Sequence, residues 1–169
     1  MPKPIKLYVR YVDAINRVLG NVVMFLALVM MGVLLFGSLT RYVFNVPFVW
    51  IIEMAQFLMA AYYILGGGYS MQLDAHVRMD VWYERWQPKR RAFIDSITVF
   101  CLLFYLAMMI YGGISSSLYS LKYNQTNYSA WAPPMAPIKI IMTVGFVLMF
   151  LQAISIFFKD LARATDREL

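Results

Sequence analysis

Charge is scarce in this chain, and its gaps are long. Only 14% of the 169 residues are Asp, Glu, Lys or Arg, against roughly a quarter in a soluble domain. Four runs carry no charge at all: Val18 to Thr40, Met54 to Leu73, Ser96 to Leu121 and Ile140 to Phe158. About 20 apolar residues cross the hydrocarbon core of a bilayer as a helix. Four spans therefore fit, and little chain is left for a soluble domain. The first run is too long for the apolar core of a cleaved signal peptide, and no small-residue cleavage site follows it.

The residues of catalysis are also few. One histidine, His76, excludes a haem held by two histidines of this chain. With one cysteine, Cys101, ligands are too few for a His/Cys metal site. A single cysteine also excludes an internal disulfide, and Cys101 reads as a small buried hydrophobe. Gly66-Gly67-Gly68 lies in an apolar run without the Lys and Ser/Thr of a phosphate loop. Asp74, His76 and Asp80 read as a solvated turn, and no Ser-His-Asp set is plausible. No cofactor and no enzymatic role are expected. Ionisable residues in mid-membrane usually mark a solute path, and away from their ends these spans hold none. No internal repeat is evident, which argues against a self-contained transporter with repeated halves.

What charge there is has a clear distribution. The net charge is +6. Most Lys and Arg lie before the first run, between the second and third, and after the fourth. The positive-inside rule then sets both termini in the cytoplasm, as an even number of spans requires. Arg78, Arg85, Lys89, Arg90 and Arg91 read as topology and phospholipid anchors, not as a nucleic-acid surface.

The expected fold is an all-α membrane protein with four transmembrane helices and an N-terminal amphipathic interfacial helix. That helix covers 1–17 and is expected to run on into span one. Ile5, Tyr8, Val9, Val12 and Ile15 recur on one face, and Lys6, Arg10, Asp13 and Arg17 on another. Transmembrane helices follow over 18–41, 47–73, 88–121 and 139–159. Between them lie a cytoplasmic interfacial segment, 74–87, and an outer loop, 122–138, broken by Pro133, Pro134 and Pro137. A cytoplasmic tail covers 160–169.

The stretch RYVFNVPFVWIIE, Arg41 to Glu53, joins the first two spans. Arg41 falls in the last turn of span one, where the helix dipole favours a cation. Asn45 and Pro47 form the turn, and Pro47 opens span two. Glu53 then sits near the positive end of that helix. Three readings of Arg41 with Glu53 stay open: a pair closing the outer hairpin, a contact with a partner subunit, or a role in handling solute. Glu53, Gln56, Ala60, Tyr63 and Gly67 share a polar or small stripe on span two, and Gly112-Gly113 lies near the outer end of span three. Such surfaces suit close helix packing in lipid.

RYVFNVPFVWIIE, HVRMDVWYERWQPKRR and PPMAPIKIIM together resemble the small membrane (Q) subunit of tripartite ATP-independent periplasmic (TRAP) transporters, over nearly the whole chain. The resemblance implies a bacterial inner-membrane protein, with loop 122–138 periplasmic. It implies a large membrane subunit as partner, carrying the sodium and substrate sites and moving like an elevator. A periplasmic substrate-binding protein would deliver an organic acid transiently. The small subunit would be a scaffold, here in its separate, unfused form. On that reading Gln56, Ala60, Gly67, Gly112 and Gly113 face the large subunit, and Asn45, Trp50 and Trp131 touch the periplasmic protein. The competing expectations are a homo-oligomeric channel and a membrane anchor for a redox enzyme.

Overall fold

A computed structural model describes residues 3–73 and 88–164, with side-chain surroundings for 5–73 and 98–159. The described residues form four α-helices: α1 Lys3–Phe44, α2 Val49–Gln72, α3 Pro88–Lys122 and α4 Ala136–Ala164. Each contains a stretch long and apolar enough to cross a membrane. The segment 74–87, with Arg78, Arg85 and His76, lies outside the described residues. So do the side chains of Lys89, Arg90 and Arg91, and most of the tail.

The N-terminal segment continues into the first span, as its unbroken helical period suggests, as one helix of 42 residues. At 1.5 Å per residue that helix is about 63 Å long, roughly twice the thickness of the hydrocarbon core. It closes with Arg41 in its last turn. Asn45 then takes a positive φ of 55°, a conformation that Asn tolerates better than β-branched residues. α2 begins at Val49, two residues later than Pro47 suggests. The reason is tertiary. Phe48 stays extended and stacks its ring on Phe36 of α1, and Trp50 tilts against both.

α2 packs between α1 and α4, and α4 packs in turn against α3. α1 and α4 also meet directly. Small residues set these approaches. A Cβ on Gly68 of α2 would lie 2.6 Å from Asn16 Oδ1 of α1, and one on Gly37 would lie 2.7 Å from Ile51. Gly67 meets Met149 of α4, Gly145 meets Ile64, and Gly113 of α3 meets Thr143. Lipid tails are as apolar as leucine, so helices in a membrane associate through close contact and hydrogen bonds.

Polarity is accordingly turned inward. The most enclosed side chains are Leu106, Gln152, Asn16, Ser120 and Ser155, four of the five polar. Soluble proteins bury such residues far less often. A small apolar cluster of Met71, Leu106 and Ala153 joins α2, α3 and α4. Large apolar side chains such as Val22, Phe25, Phe104 and Tyr111 point outward. Cys101 is among the exposed residues, contrary to its reading as a buried hydrophobe. α3 packs along one side only, and Cys101 falls on the other, beside Phe100 and Phe104.

Candidate functional site

The densest polar assembly joins the first helix to the last, at the end of the bundle that holds both termini. On α1 the buried stripe is Val9, Val12 and Asn16, with Tyr8 beside it. Ile15, expected on that face, is about half exposed. Asn16 donates through Nδ2 to Val12 O at 3.2 Å and to Gln152 Oε1 at 2.7 Å. Gln152 donates through Nε2 to Asp13 Oδ1 at 3.0 Å. Lys159 Nζ donates to Asp13 Oδ2 at 2.6 Å, the ion pair among the described residues. Ser155 Oγ reaches Asp13 Oδ1 at a longer 3.4 Å. One turn nearer the N-terminus, the Tyr8 hydroxyl donates to Leu151 O at 3.1 Å, and its ring meets Phe158 edge-on.

These bonds form a continuous lock, Lys159–Asp13–Gln152–Asn16. Gln152 and Asn16 are enclosed, and each uses its amide to bridge two helices. Buried amides in lipid have no water to fall back on, so a paired amide ties its helices together. Gly68 makes room for it, since any larger residue of α2 would strike Asn16. The residues of this lock escape a reading based on charge-free runs. The signal is nevertheless present. Gln152, Ser155 and Lys159 recur at helical spacing at the end of the fourth run, and Asn16 interrupts an apolar stripe.

The opposite end has its own polar knot, confined to α3, α4 and the loop between them. Gln125 is its hub. Ser120 Oγ and Lys139 Nζ both donate to Gln125 Oε1, at 2.9 and 2.8 Å. The Gln125 backbone N–H donates to Ser120 O, and Met135 N–H donates to Gln125 O. Asn127 N–H donates to Pro133 O across the loop. One turn deeper, Ser117 and Thr143 hydroxyls meet at 3.2 Å beside Gly113.

Arg41 and Glu53 are not brought together. Arg41 is exposed, while Glu53 is buried, and no ion pair joins them. Gly67 and Gly113 serve contacts inside the chain. Ala60 is half-buried, on the α2 stripe with Ile64, Gly67 and Met71 that packs on α4. Gln56 is exposed, and Gly112 has nothing within 4 Å of its would-be Cβ. Asn45 is exposed in its turn, Trp50 is half-buried in the aromatic cluster, and Trp131 is exposed in the loop. Among the described residues no group of three or more His, Cys, Asp or Glu gathers as a metal site would require.

A family model for tripartite ATP-independent periplasmic transporters, DctQ component, matches residues 30–163. The chain belongs to this family. It is thus a multi-pass membrane component of a TRAP transporter. No curated protein matches it. The matched region spans the last third of α1 and all of α2 and α3, and runs through α4 to residue 163. It includes Gln152, Ser155 and Lys159 of the lock, whereas Asp13 and Asn16 precede it.

Proposed function

We propose that this chain is the static scaffold of its transporter. It braces a large elevator-type membrane subunit during sodium-coupled symport of an organic acid. A soluble periplasmic binding protein delivers the acid and touches the loop end near Asn45, Trp50 and Trp131. Both termini face the cytoplasm of the bacterial inner membrane. The amphipathic start of α1 rides on the inner leaflet, and Arg78, Arg85, Lys89, Arg90 and Arg91 meet its anionic lipid.

One observation carries the scaffold reading. The enclosed amides of the bundle, Asn16 and Gln152, are committed to joining helices to each other, with Asp13 and Lys159 paired beside them. An elevator needs one part that holds still while another slides, and a bundle whose first and last helices are cross-linked by enclosed amides supplies that part. Supporting this, the outward faces of the described helices carry many large apolar side chains.

The test is reconstitution of three preparations with the binding protein and a sodium gradient. The large subunit together with this chain restores uptake, the large subunit alone does not, and this chain alone gives neither uptake nor conductance. Conductance from the chain alone would support a homo-oligomeric channel instead. A haem absorbance band in the purified chain would support a redox anchor.

A further inference from the structure

We propose that Glu53 and Gln56 form the polar grip through which this chain holds the large membrane subunit, with Glu53 receiving a Lys or Arg side chain of that subunit. The inference rests on the scaffold reading and names its point of attachment. Glu53 is 7% exposed, and its Oε2 is sealed from solvent without a hydrogen-bond partner. Its other oxygen makes no hydrogen bond with any described residue and is not sealed in the same way, so the carboxyl group meets the surface along one edge.

The described residues offer it no donor. α2 and α4 run parallel, with Ile64 beside Gly145 and Gly67 beside Met149. Carried back along both helices, that register sets Glu53 level with Pro134 and Met135. Pro133 and Pro134 have no N–H to give, and the Met135 N–H already donates to Gln125. The described cations of this end are placed elsewhere. Lys139 donates to Gln125, Lys122 lies over the Tyr123 ring, and Arg41 is exposed and forms no ion pair. A buried acceptor left without a donor is costly, and native structures rarely keep one without a reason.

Gln56 adds an independent observation. It stands one turn deeper in the same span, exposed, and makes no hydrogen bond within the described residues. An amide facing hydrocarbon needs a partner as well. Ile52, Met59 and Tyr63 continue the same open face at helical spacing and give an apolar footing around it. An acidic side chain and an amide on an otherwise apolar face complement a basic side chain of a neighbouring helix. Intramembrane cations find such pairings.

The experiment co-expresses the chain with its large subunit and measures two things for Glu53→Leu, Glu53→Gln and Gln56→Leu. One is the thermal midpoint of the chain purified alone. The other is the dissociation constant of the complex in detergent supplemented with native lipid. Glu53→Leu leaves the isolated chain at least as stable as the wild type and weakens the complex by roughly tenfold or more, as loss of one partner of an interfacial charge pair does. Glu53→Gln weakens it less, and so does Gln56→Leu. Unchanged affinity in Glu53→Leu overturns the proposal. So does a fall in the stability of the isolated chain, which would assign the contact to the chain itself. So does loss of a co-purifying amine-headed lipid with subunit affinity unchanged. If the wild-type chain does not bind the large subunit at all, the scaffold reading fails first, and that result is distinct from all of these.

Discussion

The two ends of this bundle are held by different means. At the end bearing the termini, hydrogen bonds cross between the first helix and the last, from Asp13 and Asn16 to Gln152 and Lys159. At the loop end, the described side-chain hydrogen bonds that link one helix to another stay within one hairpin, α3 with α4 around Gln125. The other hairpin, α1 with α2, closes there on the rings of Phe36, Phe48 and Trp50. The difference teaches where rigidity comes from. Covalent connection makes two hairpins, the packing of α2 on α4 joins them, and the Asp13–Gln152 lock adds a polar tie between α1 and α4. At the loop end, Glu53 and Gln56 make no hydrogen bond among the described residues, and they are the groups proposed to hold the large subunit.

Changes at the lock should therefore loosen α1 from α4, while changes at the loop end stay local. Gly68→Val has the largest expected effect, because its side chain enters the space of Asn16 Oδ1. Overpacking of this kind costs about 1–3 kcal/mol, and a lowered thermal midpoint in detergent measures it. Asp13→Ala comes next. It leaves Lys159 unpaired and Gln152 without its acceptor. The side chains of the pair are 26% and 21% exposed, so the cost is about 1–2 kcal/mol, below that of breaking a fully buried pair. Exchanging the two residues, Asp13→Lys with Lys159→Asp, should recover part of it.

Gln125→Ala removes the acceptor for Ser120 and Lys139 and should cost about 0.5–1 kcal/mol. Faster hydrogen exchange should then appear in residues 123–135 and leave the α1–α4 contact protected. Gly112→Ala meets open space and should change the stability of the isolated chain by no more than about 0.5 kcal/mol. A large loss there would mean that α3 packs on a neighbour even in the purified chain.

Much of this architecture is legible without coordinates. Charge-free runs locate the spans, because desolvating a charge in hydrocarbon is expensive enough to leave gaps in the sequence. The continuity of residues 3–17 with span one follows from one unbroken helical period. Periodicity assigns a face but not the neighbour on it, and there the reading loses resolution. Gly67 and Gly113 belong to small stripes, yet those stripes meet Met149 and Thr143 of the same chain. Likewise, Ile15 fits the apolar face of α1 by spacing, while the helix is rotated to bury Asn16. That rotation depends on Gln152, 136 positions away, and local pattern carries no such information. The start of α2 shifts for a similar reason, through the contact of Phe48 with Phe36.

The central claim is that this chain stays one rigid body while its partner moves. Cysteines placed at positions 13 and 159, in a background with Cys101→Ser, can be bridged by a short reducible bifunctional thiol reagent in the assembled transporter. With α1 and α4 tied together, uptake should remain within about twofold of the unbridged double variant, as rigid-body motion of the other part requires. A fall of roughly tenfold that is reversed by reductant would show that these helices move apart during the cycle, and the account would be wrong.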